Sequence, residues 1–322
     1  MRTTLRLSLI FALAASTAFA QMATNTDPAA VKFVTSDIES FWKAFDKATA
    51  ENAEEIYTQD YFTPGSEGLQ LFLKYRIRSA KSFAEQVAAA RKYYEGLRAP
   101  SRRIAAFEPK MRASFQKLKE LYPDAIFPNV YFVIGRMNSA GTLAPGGLLI
   151  GVDMFGANGE VNLDGLSQWQ RSVIGPIEKV PFVVAHESIH YQQKYSIPGE
   201  PTLLQRSINE GAADFIAELI SGGHVNPHLH NYGSPIEEQL WSEFKLAMRG
   251  TDASNWLYQG NQAKDRPADL GYYMGYKITE SYYRNAADKR AAIKEILEIK
   301  DFDEFLKASR YEEKFARKAQ GS

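Results

Sequence analysis

The sequence predicts an α+β fold that is predominantly helical, with a small β-sheet placed just ahead of the helix pair that carries the chemistry. Three observations predict it. Apolar residues recur at helical spacing from about residue 31 to Tyr122. The pattern then changes to short β-branched and aromatic runs between residues 129 and 153, and helical spacing returns after Ser167. All five histidines lie between His186 and His230, so side chains that titrate near neutral pH are confined to the last region.

The first element is a removable leader. Arg2 and Arg6 precede a mostly apolar stretch over residues 7–15, and Ala18-Phe19-Ala20 has the small-residue spacing of a cleavage site. Cleavage after Ala20 is expected, with delivery to the periplasm or the exterior. The apolar run is shorter than the roughly 20 residues that span a bilayer, and no later run is long enough. There is no cysteine, which excludes disulfides, thiolate ligands, a cysteine nucleophile and lipid attachment through a thiol. Without Arg2 and Arg6 the 38 basic residues fall to 36 against 38 acidic ones, a net of about −2. That balance gives no field for nucleic acid or an anionic membrane, so a peptide or protein substrate is the expected partner. Oligomeric state is not written in the sequence.

Residues 21–122 read as a helical N-terminal region after a loose leader. Asp37 is placed to cap a helix whose Ile38, Phe41, Trp42 and Phe45 share one face, and Phe107, Met111, Phe115, Leu118 and Leu121 repeat that spacing. Residues 129–134 and 147–153 read as two strands joined by a loop. Residues 123–322 form the metallohydrolase region, packed in one body with what precedes it. Leu148 to Val152 reads either as an edge strand that could hold an extended peptide or as an ordinary buried strand.

The apolar run at residues 180–185, with Pro181 in its first turn, leads a buried helix into His186-Glu187-Ser188-Ile189-His190. Two imidazoles at i and i+4 share a face, and Glu187 sits about 100° around the axis. Such a pair can hold zinc while the carboxylate acts as base toward water at the metal. The helix should end near Tyr195, before the turn Ser196-Ile197-Pro198-Gly199. Thr202-Leu203-Leu204-Gln205 is a capping-box pattern for the next helix. An antiparallel return would bring Glu210 beside the histidines as third ligand to one zinc ion. Asp214, one turn on, would accept the second N–H of a ligand histidine. Without a metal, the same residues would be two buried histidines satisfied by Glu210 and Asp214.

His186-Glu187-x-x-His190, followed by Asn209-Glu210-Gly211-Ala212-Ala213-Asp214, resembles the gluzincin zinc metallopeptidases, thermolysin among them. The region is also similar to bacterial families known only as predicted zinc-dependent proteases, in which a short sheet precedes the motif helix. A glycine- and tyrosine-bearing helix follows it there, matched here by Gly271-Tyr272-Tyr273-Met274-Gly275-Tyr276. The resemblance implies a tyrosine or histidine that steadies the developing oxyanion, and Tyr272 and Tyr276 are the candidates. Each is equally readable as a packed core tyrosine. His224, His228 and His230 follow Gly222-Gly223 in an expected loop that could fold over the zinc, face solvent or gather a second metal. The function implied is an exported zinc metallopeptidase. Two alternatives stand beside it: a zinc-stabilised scaffold that cleaves nothing, and a zinc hydrolase of other amides or esters.

Overall fold

The computed structural model describes residues 25–159 and 161–315, so the expected leader over residues 1–20 lies outside the described residues. The architecture is helical around one small mixed sheet, as the periodicity predicts. Its strands are β1 (Phe33–Val34), β2 (Val130–Val133), β3 (Gly141–Ala144) and β4 (Gly147–Gly151), in the order β1-β2-β4-β3. β1 and β4 run parallel to β2, while β3 is antiparallel to β4.

One strand expectation needs correction, and one open alternative is decided. The stretch between the two foreseen strands is not all loop, because Gly141 to Ala144 folds back on β4 as a hairpin. The run at 147–151 is therefore interior, and the edge strand is β3. Gly-Thr-Leu-Ala has one β-branched residue and is flanked by Gly, Pro and Ser, so its pairing comes from the neighbour and not from propensity.

Alternation along the strands sorts the sheet into two faces. Tyr131, Leu149 and Thr142 are in register and share one face. That face meets the N-terminal helices, since Tyr131 packs where a side chain on Gly68 would lie and Thr142 accepts a hydrogen bond from Arg76. Gly141 and Ile150 share the other face, which carries the helix Val180–His190. The helices up to Arg102 thus form one outer layer, while the motif helix belongs to the other, where the helix Glu108–Leu121 packs against it.

The N-terminal layer holds an aromatic core, with Phe41, Trp42, Tyr57, Tyr61, Phe83 and Tyr94 all buried. Asp37 does not cap its helix. It lies inside Ser36–Lys47, and its carboxylate accepts from the backbone N–H and hydroxyl of Ser66, the residue that caps the helix Glu67–Phe72. Across the sheet, the helices Leu203–Ser221 and Leu270–Asn285 pack with almost no gap. A Cβ on Gly275 would lie 1.7 Å from the Ser207 carbonyl oxygen, and one on Gly211 would lie 2.0 Å from the Tyr276 nitrogen. Only glycine permits this approach.

Candidate metal centre

The motif helix runs Val180–His190 with Pro181 in its first turn, and it ends five residues earlier than the Tyr195 expected. The cause is Gln192. Its backbone N–H bonds Ile189 O at 2.8 Å, three residues back, while its side chain takes Ser188 O at 3.0 Å and Ile126 O at 2.8 Å. The following helix begins at Leu203 behind the Thr202–Gln205 capping box, with Gln205 Oε1 accepting the Thr202 N–H at 2.8 Å. It returns against the motif helix and delivers Glu210.

Three donor atoms converge. His186 Nε2 and His190 Nε2 are 3.1 Å apart. Glu210 Oε2 lies 3.6 Å from the first and 3.3 Å from the second. A tetrahedral ion with ligands at about 2.0–2.1 Å separates its donors by roughly 3.3 Å, so the trio has the dimensions of a zinc site. Among the described residues this is the one group of three or more His, Asp or Glu side chains close enough to hold a metal.

The outer nitrogens decide what the inner ones can be. His186 Nδ1 lies 2.8 Å from Asp214 Oδ1, and His190 Nδ1 lies 2.6 Å from Gln193 Oε1. The Gln193 amide is oriented by its Nε2, which donates to Asn209 O at 2.7 Å, leaving the oxygen for His190. Both partners accept, so both rings carry their hydrogen on Nδ1 and turn a lone pair inward at Nε2. Two lone pairs facing a buried carboxylate oxygen require a cation between them, either an ion or a proton. In the protonated alternative, burial lowers the His186 pKa, but hydrogen bonds that it donates to Asp214 and Glu210 outweigh it and hold it well above the usual range. Burial acts against Glu210 ionising, yet the two histidines hold its carboxyl far below its ordinary value.

Glu187 is partly exposed and lies directly over the edge strand, where a Cβ on Gly141 would come 2.5 Å from its Oε1. A glycine in that position lets the carboxylate lie flat against β3. The Tyr272 ring stacks on His186 at 6.2 Å between centroids. Burial first, and Glu210 next, keep its phenol protonated well above the usual range. Tyr276 departs from the role expected of it: its hydroxyl donates to Glu218 Oε2 at 2.6 Å, and its ring packs against both His224 and His230.

The later histidines are not a loop over the metal. His228 and His230 belong to the short helix Pro227–Gly233, and His224 Nε2 meets His230 Nε2 at 2.7 Å. Their link to the centre is indirect, through Asn226, whose Nδ2 donates to Asp214 Oδ2 at 2.9 Å. Sequence reasoning missed Asn226, Gln193 and Tyr258, whose hydroxyl lies 3.3 Å from Glu210 Oε1. Gln193 had a signal, since i+3 from His190 is within reach on or just past a helix. Tyr258 had none, because it arrives from a separate loop.

A family model described as Gliding motility protein GldB matches residues 22–235. The chain belongs to the GldB family. A second model, described as Predicted Zn-dependent protease, matches residues 169–303, which include the whole metal cluster. No curated protein and no solved structure matches the chain. The GldB family is lipoprotein-like, which points to an envelope-associated protein, although none of the 322 residues here is a cysteine that could carry a lipid. No helix among the described residues is long and apolar enough to cross a membrane.

Proposed function

We propose that this GldB-family chain is an exported zinc metallohydrolase of gluzincin type that cleaves peptide bonds. The observation that carries the reading is the inward convergence of His186 Nε2, His190 Nε2 and Glu210 Oε2, with both Nδ1 atoms committed to acceptors. These three side chains would hold one zinc ion. When bound, the ion supplies Lewis acidity toward a water molecule and a substrate carbonyl.

The chain's own residues do the rest. Glu187 takes the proton of the attacking water and returns it to the leaving nitrogen. Asp214 and Gln193 fix the ring orientation of the two histidines. Tyr272, protonated and with its ring stacked on His186, is our candidate donor to the oxyanion, and Tyr258 holds the outer oxygen of Glu210. The outer edge of β3, the last strand of the sheet, could offer backbone groups to an extended peptide, although the Gly141 carbonyl already accepts from Ser139 Oγ.

The test is zinc content and peptide hydrolysis in the wild type and in Glu187→Gln. The variant should keep one zinc and lose about 10²- to 10⁴-fold in rate. A fully active variant refutes the role of Glu187. The GldB description names motility and not catalysis, which favours a second reading, a zinc-stabilised module that cleaves nothing. Stoichiometric zinc in a wild type inert toward every peptide offered would select that second reading.

A further inference from the structure

The segment from Gln70 to Ala84 carries Lys74, Arg76, Arg78 and Lys81 and no acidic residue, in a chain whose formal charge balances. The turn that holds Arg76, Leu73–Ile77, is a π-helical stretch, a distortion found often at functional sites. It is tied to the β2–β3 connection, where Asn138 Nδ2 donates to the Arg76 carbonyl at 2.9 Å and Arg136 Nε at 3.3 Å. The Arg76 guanidinium donates from Nη2 to Thr142 Oγ1 on the edge strand. Burial holds that guanidinium below its usual range, and the nearby Glu187 carboxylate acts in the opposite sense.

Strand alternation places this cation. Gly141 faces Glu187, so Thr142 faces the opposite side of the sheet, and Arg76 with it. Glu187 and Arg76 therefore flank the outer strand from its two faces. A peptide added at the outer edge of β3 would turn alternate side chains toward Glu187 and toward Arg76. We propose that Arg76 is a specificity-determining residue that binds a substrate carboxylate on the face of β3 opposite Glu187. The inference rests on the peptidase reading above. A planar guanidinium pairs with a carboxylate through two parallel hydrogen bonds, and the surrounding basic run would favour approach of an acidic peptide.

The experiment uses a synthetic peptide library, acetylated at the N-terminus and made in two forms, C-terminal acid and C-terminal amide. Cleavage products from the zinc-loaded wild type, Arg76→Gln and Arg76→Lys are quantified by mass spectrometry. We expect the wild type to favour carboxylate-bearing peptides and Arg76→Gln to reduce that preference by about 10- to 100-fold, the range for losing a charge-assisted hydrogen bond. Arg76→Lys should restore part of it. Preference for the acid form assigns the bound group to the C-terminus, and preference for internal Asp or Glu in both forms assigns it to a side chain. If Arg76→Gln slows acidic and neutral peptides by the same factor, Arg76 does not read the substrate's carboxylate and the proposal falls. Retention of the same library on zinc-loaded Glu187→Gln protein, with and without Arg76→Gln, reads binding without turnover. A retained pool that is not enriched in carboxylates overturns the proposal even if no peptide is cut, and an enriched pool lost with Arg76→Gln upholds it where the peptidase reading fails.

Discussion

The chain holds two pairs of histidines whose Nε2 atoms face each other, and they are chemically opposite. In His186 and His190 the gap is 3.1 Å, and each Nδ1 is bound to an acceptor. Both inner nitrogens are therefore lone pairs. In His224 and His230 the gap is 2.7 Å, and the Asn226 N–H donates to His224 Nδ1 at 2.9 Å. His224 then carries its hydrogen on Nε2 and donates it to His230, which completes an ordinary hydrogen bond. Glu218, the nearest carboxylate, lies 3.8 Å from His224 and is engaged by Tyr276. The lesson is that the remote nitrogen of a histidine, and what it touches, separates a pair that could hold a metal from a satisfied pair.

The largest expected effect follows directly. Glu210→Ala should lose stoichiometric zinc at micromolar free metal, while His230→Gln should retain it, both measured on purified protein by metal analysis. A single zinc should be found per wild-type chain. Two ions per chain, with one lost in His230→Gln, would break the comparison by showing that the second pair also ligates.

A smaller effect tests the outer partners. Asp214→Asn presents either an amide donor or a weaker acceptor to His186 Nδ1, and it disturbs the Asn226 contact as well. Zinc affinity should fall by about 10- to 100-fold, the usual consequence of removing such a partner. Competition with a chromogenic chelator measures it. Unaltered affinity would mean that the ring of His186 is fixed by packing alone.

How much of this was legible in the sequence depends on where the cause lies. The ligand helices were readable because i, i+4 spacing and the Thr202–Gln205 box are local codes, and helical periodicity fixed the class of the fold. The strand β3 was not, since Gly141 to Ala144 pairs only because β4 offers an edge. Gly141 itself shows no periodic signal, yet its missing side chain makes room for Glu187. Tyr276 misled for the opposite reason. Its i, i+4 relation to Tyr272 is real, but their 16-residue helix crosses the Glu210 helix so that Tyr272 meets His186 while Tyr276 meets Glu218, two turns beyond Glu210. A crossing of that kind is set by Gly211 and Gly275 contacts far apart in sequence.

The smallest effect concerns acid, and it isolates the second pair. Burial, and then the neighbouring His224, lower the His230 pKa from 6.5 to about 4. A histidine with a depressed folded pKa contributes stability that is present above the unfolded value and lost as pH falls, because the unfolded chain takes up the proton first. The window is therefore about 6.5 down to about 4. The full shift would correspond to about 3 kcal/mol, and since His230 is only partly buried, solvent screening brings the expectation to about 1–2 kcal/mol. Urea unfolding of chelator-stripped protein at pH 7 and pH 4.5 measures it by difference. His230→Gln should show a smaller loss between the two pH values than the wild type. Equal losses would mean that His230 accepts its proton freely in the folded chain, and that the hydrogen bond from His224 does not hold the pair together.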